Sequence, residues 1–198
     1  MNHPQLMAHA LSENLSEVGP HIITELGAGD GHFLLSVARR LRHHWQVAHA
    51  ILVDRQDTFD PAIRHAFEHM KWRVRVETAD AFEWLRKSHA DKTNAMICNL
   101  FLHHFQGQEL DELLQLAARS ARVFVALEPR RAWLPRLCGH LLWVIRCNSV
   151  TRHDAGISIR AGFSGRELSA IWPNKEKWHL TERPSGLFSH LFIARRKD

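Results

Sequence analysis

Cysteine is scarce. Cys98, Cys138 and Cys147 are the only three in 198 residues, an odd number without the paired spacing of a metal site. A disulfide framework is therefore not expected, and reduced thiols are. No metal ligand set is read from the chain. Long apolar runs are missing as well: none reaches the roughly 18 residues of a membrane-spanning helix, and the polar amino terminus holds no signal-like stretch. Both absences point to a cytoplasmic protein. Repeats, low-complexity tracts and linkers are also lacking, which leaves one domain over residues 1–198. Charge is not lacking. The net charge is +5 with histidines neutral, the sequence pI is about 9.6, and 16 histidines add positive charge at mild acidity. This balance permits nucleic acid, an anionic substrate or a membrane surface as partner and selects none of them. Hydrophobic residues at 45% and charged residues at 24% are ordinary for a globular chain of this length.

What is present is an alternation of strand and helix patterns, the mark of a doubly wound α/β sheet. Strands are expected at His21–Leu26, Val47–Val53, Val74–Glu77, Asn94–Asn99 and Arg122–Leu127. Helices are expected from the glycines to His43 and over Phe59–Met70, Phe82–Lys87, Glu109–Ser120, Trp133–Ile145 and Gly165–Ile171. The chain closes with Lys177–Glu182 and Leu187–Ala194, joined through Pro184-Ser185-Gly186 as a hairpin. The first strand begins only about 20 residues in, which leaves little room for an amino-terminal cover. Residues 130–163 form an insertion on the side where a substrate would sit.

The most informative segment is Ile22-Ile23-Thr24-Glu25-Leu26-Gly27-Ala28-Gly29-Asp30-Gly31. It reads as a buried strand, an acid, and a glycine turn opening a helix in which Phe33, Leu34, Val37, Ala38 and Leu41 recur at helical spacing. Glycines there admit dihedrals that side chains forbid and let a ligand approach the backbone. The spacing is G-x-G-x-G, not the dinucleotide G-x-G-x-x-G. Glu25 before the first glycine would repel a pyrophosphate, so a cationic or neutral ligand fits better. Further acids close the next strands: Asp54 after the second, suited to ribose hydroxyls, and Asp80-Ala81 after the third. Each of these alone also fits a helix cap. Asn99 closes the fourth.

The glycine turn resembles motif I of the class I S-adenosylmethionine (SAM) dependent methyltransferases, and the resemblance runs from His21 to Ala194. It implies a Rossmann-like seven-stranded sheet of order 3-2-1-4-5-7-6 with the last strand antiparallel, and SAM as cofactor. It further implies cofactor contacts from Glu25, Gly27, Ala28, Gly29 and Gly31 at the amino-acid end, Asp54 at the ribose, Asp80 and Ala81 at the adenine, and Asn99. Asn99-Leu100-Phe101-Leu102-His103-His104-Phe105 resembles the N-x-x-x-H-H-[F/L] loop of small-molecule members. His103 or His104 would then take a hydroxyl proton as the methyl arrives. His153, oriented by Asp154, is a third candidate base, in a stretch resembling an Arg-His-Asp…Ser-x-Arg…Phe pattern of small bacterial members. Enzymes that methylate base amino groups carry Asn/Asp-Pro-Pro-Tyr/Phe after the fourth strand. This chain has no proline there and no tyrosine anywhere. Covalent cytosine chemistry is not expected, because Cys98 lies inside an apolar strand and Cys138 and Cys147 belong to the insertion.

The expected activity is methyl transfer to a small hydrophobic or aromatic acceptor at a phenolic or enolic oxygen, with a ring carbon as a variant. An RNA or protein substrate, favoured by the basic pI, is the first alternative. A non-catalytic SAM-binding subunit is the second. Within the insertion, Trp133, Leu134, Leu137, Leu141, Leu142 and Ile145 make an apolar face flanked by Arg130, Arg131, Arg136 and Arg146. Such a face suits sheet covering, a lid over a greasy acceptor, or peripheral membrane contact. The sequence does not set the oligomeric state.

Overall fold

The structure is a computed structural model. It describes residues 3–15, 21–45, 48–87, 93–131 and 162–197. The elements are α1 (His3–Asn14), β1 (His21–Leu26), α2 (His32–Leu41), β2 (Ala48–Asp54), α3 (Pro61–His69), β3 (Arg73–Thr78), α4 (Ala81–Arg86), β4 (Thr93–Asn99), α5 (Gln108–Ser120), β5 (Ala121–Pro129), α6 (Glu167–Ile171), β6 (Trp178–Ser185) and β7 (Ser189–Arg196). Short 3-10 turns cover Leu102–His104 and Lys175–Lys177.

The strands form one sheet of order β3-β2-β1-β4-β5-β7-β6. The pairs from β3 to β5 are parallel, while β7 runs antiparallel to both β5 and β6. This is the expected order, including the reversed last strand. The central strands β1, β4 and β5 are buried along nearly their whole length, as sheets covered on both faces require. One face packs Ile23, Ile97 and Val125 under α1, α2 and α3 together with Trp45, Phe67 and Trp72. The other packs Met96, Phe124 and Phe192 under α4, α5 and α6 together with Trp172 and Trp178. Ligands in such sheets gather beyond the carboxyl ends, where the strand order reverses between β1 and β4.

Three features differ from the sequence reading. Helix α1 was not anticipated. It carries no acidic residue in its first turn and no basic residue in its last, and its apolar periodicity is weak. Tertiary burial supports it instead: Met7, Ala8, Ala10 and Leu11 are buried, mainly against α2 and β5. Burying a side chain such as Met7 or Leu11 contributes roughly 1.5–3 kcal/mol. The closing hairpin also turns later than Pro184-Ser185-Gly186. Pro184 and Ser185 still pair with His190 and Ser189, and the turn covers Gly186, Leu187 and Phe188, opening at Gly186 with φ +74°. Proline is tolerated there because β6 is an edge strand that need not donate outward. Finally, α6 begins at Glu167 rather than Gly165.

The end of β5 meets residues 162 and 163 directly. Arg130 and Phe163 form a bridge, Phe163 N–H donates to the Pro129 carbonyl at 2.9 Å, and Arg131 N–H donates to the Phe163 carbonyl at 2.8 Å. Arg131 pairs with Glu167. The expected helix Trp133–Ile145 and the pair His153 and Asp154 lie outside the described residues.

Candidate active site

The glycine turn is fixed by the end of β2. Gly27 and Ala28 N–H both donate to the Val53 carbonyl, at 2.9 and 3.1 Å. Asp54 then splits its carboxylate: Oδ2 accepts from Gly29 N–H at 2.8 Å and Oδ1 from Gln56 N–H at 2.9 Å. Gly27, Gly29 and Gly31 hold φ of +70°, +54° and +85°, a region that L side chains enter only at a cost. Gly27 has a second constraint, since a Cβ there would lie 2.2 Å from the Phe101 ring. A Cβ on Gly29 would meet nothing within 4 Å.

Glu25 is buried beneath this turn at 1% exposure. Burial pushes its carboxyl well above the usual carboxylate range. A hydrogen bond from the Leu34 backbone opposes the rise, and Asp30 and Asp54 add to it. Its Oε2 has no hydrogen-bond partner. A buried acid with an unmatched oxygen beside two further acids is a setting that a cationic ligand would relieve. The residues present therefore fit a sulfonium and ammonium bearing cofactor.

A cavity of about 770 Å3 opens beyond the ends of β1 to β4. Gly27, Asp54, Asp80, Ala81 and His104 line it, together with Phe82, Phe101 and Phe105. The aromatic rings meet edge to face, Phe105 standing 5.4 Å from Phe82 and 5.1 Å from Phe101 between centroids. Asp80 is both a cavity residue and the cap of α4, accepting from Phe82 N–H at 2.8 Å and Glu83 N–H at 3.2 Å. The two readings of this acid are thus compatible. Glu25, Ala28, Gly29, Gly31, Asn99 and His103 do not line the cavity. Its charged lining is acidic, with Asp54, Asp80 and Glu109 against Arg55. A groove of about 800 Å3 at the opposite end of the sheet is basic, with Arg119, Lys177, Arg196 and Lys197 against Glu176.

Beyond β4 and β5 the site is held by one carboxylate. Glu128 is fully buried. Its Oε1 accepts from Phe101 and Leu102 N–H at 3.0 and 2.8 Å, and its Oε2 from His103 N–H at 3.3 Å. The same Oε2 lies 2.9 Å from His103 Nδ1. A single side chain thus shapes the 101–103 turn and orients its histidine. Leu100, with φ +54°, makes the sharp exit from β4 that delivers the turn to it. His104 stacks on His103 at 4.2 Å between centroids. Burial pulls the His104 imidazole below its ordinary value, and the neighbouring His103 adds to the fall. Burial pushes the Cys98 thiol well up, with Glu128 and Glu25 adding to the rise, so it is a structural residue of β4.

Two functional candidates were underread in the sequence. Glu128 is an acid ending an apolar strand, and its role as the anchor of the next loop shows only in the structure. His3 gave no signal. It reaches across the sheet to Asn99 Oδ1 at 2.8 Å and Ser189 Oγ at 2.6 Å.

A sheet of this order with a glycine turn after β1, an acid closing β2 and an acidic cavity beyond the carboxyl ends has the architecture of the class I SAM-dependent methyltransferase fold. The comparisons agree. The family model described as a methyltransferase domain matches residues 23–123, and the chain belongs to that family. No curated protein matches it. Among solved structures it is similar to an O-methyltransferase family protein from Burkholderia thailandensis, with TM-score 0.62 and 18% identity over 97% of this chain and 55% of that one. Human N-acetylserotonin methyltransferase, solved in complex with SAM, gives TM-score 0.59 and 13% identity over 100% of this chain and 52% of that one. The small RNA methyltransferase HEN1 gives TM-score 0.63 and 15% identity over 98% of this chain and 25% of that one. The chain thus spans about half the length of the first two. No helix among the described residues is long and apolar enough to cross a membrane.

Proposed function

We propose that this methyltransferase acts on a small hydrophobic acceptor at a phenolic or enolic oxygen, with His103 as the base. The observation that carries the reading is the buried Glu128 carboxylate 2.9 Å from His103 Nδ1. A carboxylate accepts, so Nδ1 carries the proton and Nε2 keeps the lone pair. The carboxylate also stabilises the imidazolium that forms when Nε2 takes the acceptor's proton. SAM, when bound, supplies an electrophilic methyl on a sulfonium. The glycine turn from Gly27 to Gly31, with Glu25 below it, would hold the amino-acid end. Asp54 would take the ribose, and Asp80 and Ala81 the adenine. Asn99 would contribute at the amino-acid end. His104, kept neutral by burial, adds an uncharged wall beside the base. Little else is required of the protein beyond alignment and proton removal.

The charge layout favours a small acceptor over RNA. Among the described residues the cavity rim is acidic, while the basic groove lies at the far end of the sheet. Nucleic-acid phosphates would have to meet that acidic rim. The O-methyltransferase description of the Burkholderia relative supports the oxygen reading at the level of fold. The test is transfer of radiolabelled methyl from SAM to a panel of phenols and quinols, run beside total RNA and basic proteins. Label on a phenolic oxygen supports the proposal. Label found solely on RNA or protein overturns it.

A further inference from the structure

We infer that His3, from helix α1, is a positioning residue for the cofactor: it turns the Asn99 carboxamide so that its amino group, and not its oxygen, faces the amino-acid end of SAM. The inference rests on the cofactor and is independent of the proposed acceptor.

The direction of the hydrogen-bond chain follows from its members. Asn99 Oδ1 can only accept, so His3 Nδ1, 2.8 Å away, carries the proton. His3 Nε2 is then bare and accepts from the Ser189 hydroxyl at 2.6 Å. The chain runs from Ser189 through His3 to Asn99 with every member satisfied. It fixes the carboxamide oxygen towards His3 and leaves Asn99 Nδ2 with two hydrogens to donate.

Sheet register locates that donor. Leu26 pairs with Cys98, so Asn99 stands beside Gly27, the first residue of the glycine turn. Side chains alternate along a strand, which puts Asn99 on the face of Ile97. That face is the one covered by α1 and α2, and α2 is the helix the glycine turn opens. The donor therefore borders the turn that would hold the amino-acid portion of SAM. That portion carries a carboxylate, which needs donors, and an ammonium, which needs acceptors. With its oxygen turned to His3, Asn99 offers its amino group, a donor that suits the carboxylate. The acids Glu25, Asp30 and Asp54 around the turn suit the ammonium and the sulfonium. His3 lies 96 residues from Asn99 and 186 from Ser189 in sequence, so α1 is needed to bring the imidazole to this edge.

A plain structural staple would make the same two hydrogen bonds, and the test separates the two roles by ligand. The wild type, His3→Ala, His3→Asn and Asn99→Asp are titrated calorimetrically with SAM and with 5′-methylthioadenosine, which keeps the adenosine and sulfur but lacks the amino-acid portion. Melting temperatures without ligand are recorded alongside. Asn99→Asp still accepts from His3 but replaces the donor by an oxygen. It is expected to weaken SAM about 10- to 100-fold, the value of one hydrogen bond to a charged group. His3→Ala should weaken SAM about tenfold or less, as loss of orientation rather than of the donor itself. His3→Asn places an amide donor where Nδ1 stood and should recover most of that loss. None of the three should change 5′-methylthioadenosine affinity more than about twofold. Equal losses for both ligands, or unchanged SAM affinity in Asn99→Asp, overturn the inference and leave the cofactor assignment intact. A wild type that binds 5′-methylthioadenosine but not SAM overturns both.

Discussion

The two halves of the strand-end region are built by different means. Beyond β1, β2 and β3, backbone geometry and short-range caps do the shaping. Asp80 caps its own helix within three residues, and three glycines at positive φ make the turn. Asp54 and Gly29, 25 residues apart, link the neighbouring ends of β1 and β2 there. Beyond β4 and β5, buried side chains of other elements do the shaping. One carboxylate on β5 gathers three amides and an imidazole from the loop after β4, and a histidine on α1 ties the ends of β4 and β7 together. Dihedral demands are paid locally, by glycine. A buried charge is tolerated only when distant donors converge on it. The cofactor half can therefore be specified by a short motif, whereas the acceptor half needs the assembled sheet.

The largest effect expected on the acceptor half alone comes from His103→Gln. Removing a general base costs about 10²- to 10⁴-fold in turnover. SAM affinity by calorimetry should stay within about threefold, because His103 does not line the cofactor cavity. Equal loss of turnover and SAM binding would erase the division between the halves. Next comes the support beneath both. Leu11→Ala empties a fully buried position in α1 and should cost about 2–5 kcal/mol in denaturant unfolding. A cost near zero would mean that α1 lies on the sheet without stabilising it.

A smaller effect distinguishes two glycines within the cofactor half. Gly27→Ala and Gly29→Ala each incur about 1–2 kcal/mol of left-handed backbone cost. Only Gly27→Ala must also displace the Phe101 ring, and so disturb the acceptor half. Its melting temperature should fall further than that of Gly29→Ala, and equal shifts would show that Phe101 yields freely. The smallest effect is expected at Glu25. Its folded pKa is raised above the unfolded value, so its penalty is absent in acid. The penalty grows as pH rises from the usual carboxylate range towards the raised folded value. Glu25→Gln should flatten that slope and raise unliganded stability at neutral pH by about 1 kcal/mol while weakening SAM, a local exchange of stability for function. A steeper pH slope in the variant would contradict the burial argument.

The strands themselves were legible because the central ones carry near-continuous apolar runs and the terminal hairpin was marked by Pro184 and Gly186, while their order was implied by the family resemblance. The boundary errors have local causes. Pro184 breaks a central strand but is admitted at the edge, so the turn came two residues later than its sequence suggested. Helix α1 was missed because neither caps nor clear periodicity announce it, and its helical state depends on the surface that buries Met7 and Leu11. In the site, Asp54 and Asp80 stood out as acids at strand ends. His104 stood out with His103, but only the structure separated them: His103 against Glu128, His104 on the cavity wall.

By itself the sequence determined the alternation of strands and helices, the glycine turn and the acidic character of the cofactor side, because periodicity, glycine dihedrals and local charge are properties of neighbouring residues. Tertiary structure alone decided that Glu128 is buried and orients His103, and that His3 meets Asn99 and Ser189. Those contacts join residues 25 to 186 positions apart. Burial turns each into a requirement, since a polar group removed from water must find its partner wherever in the chain that partner lies.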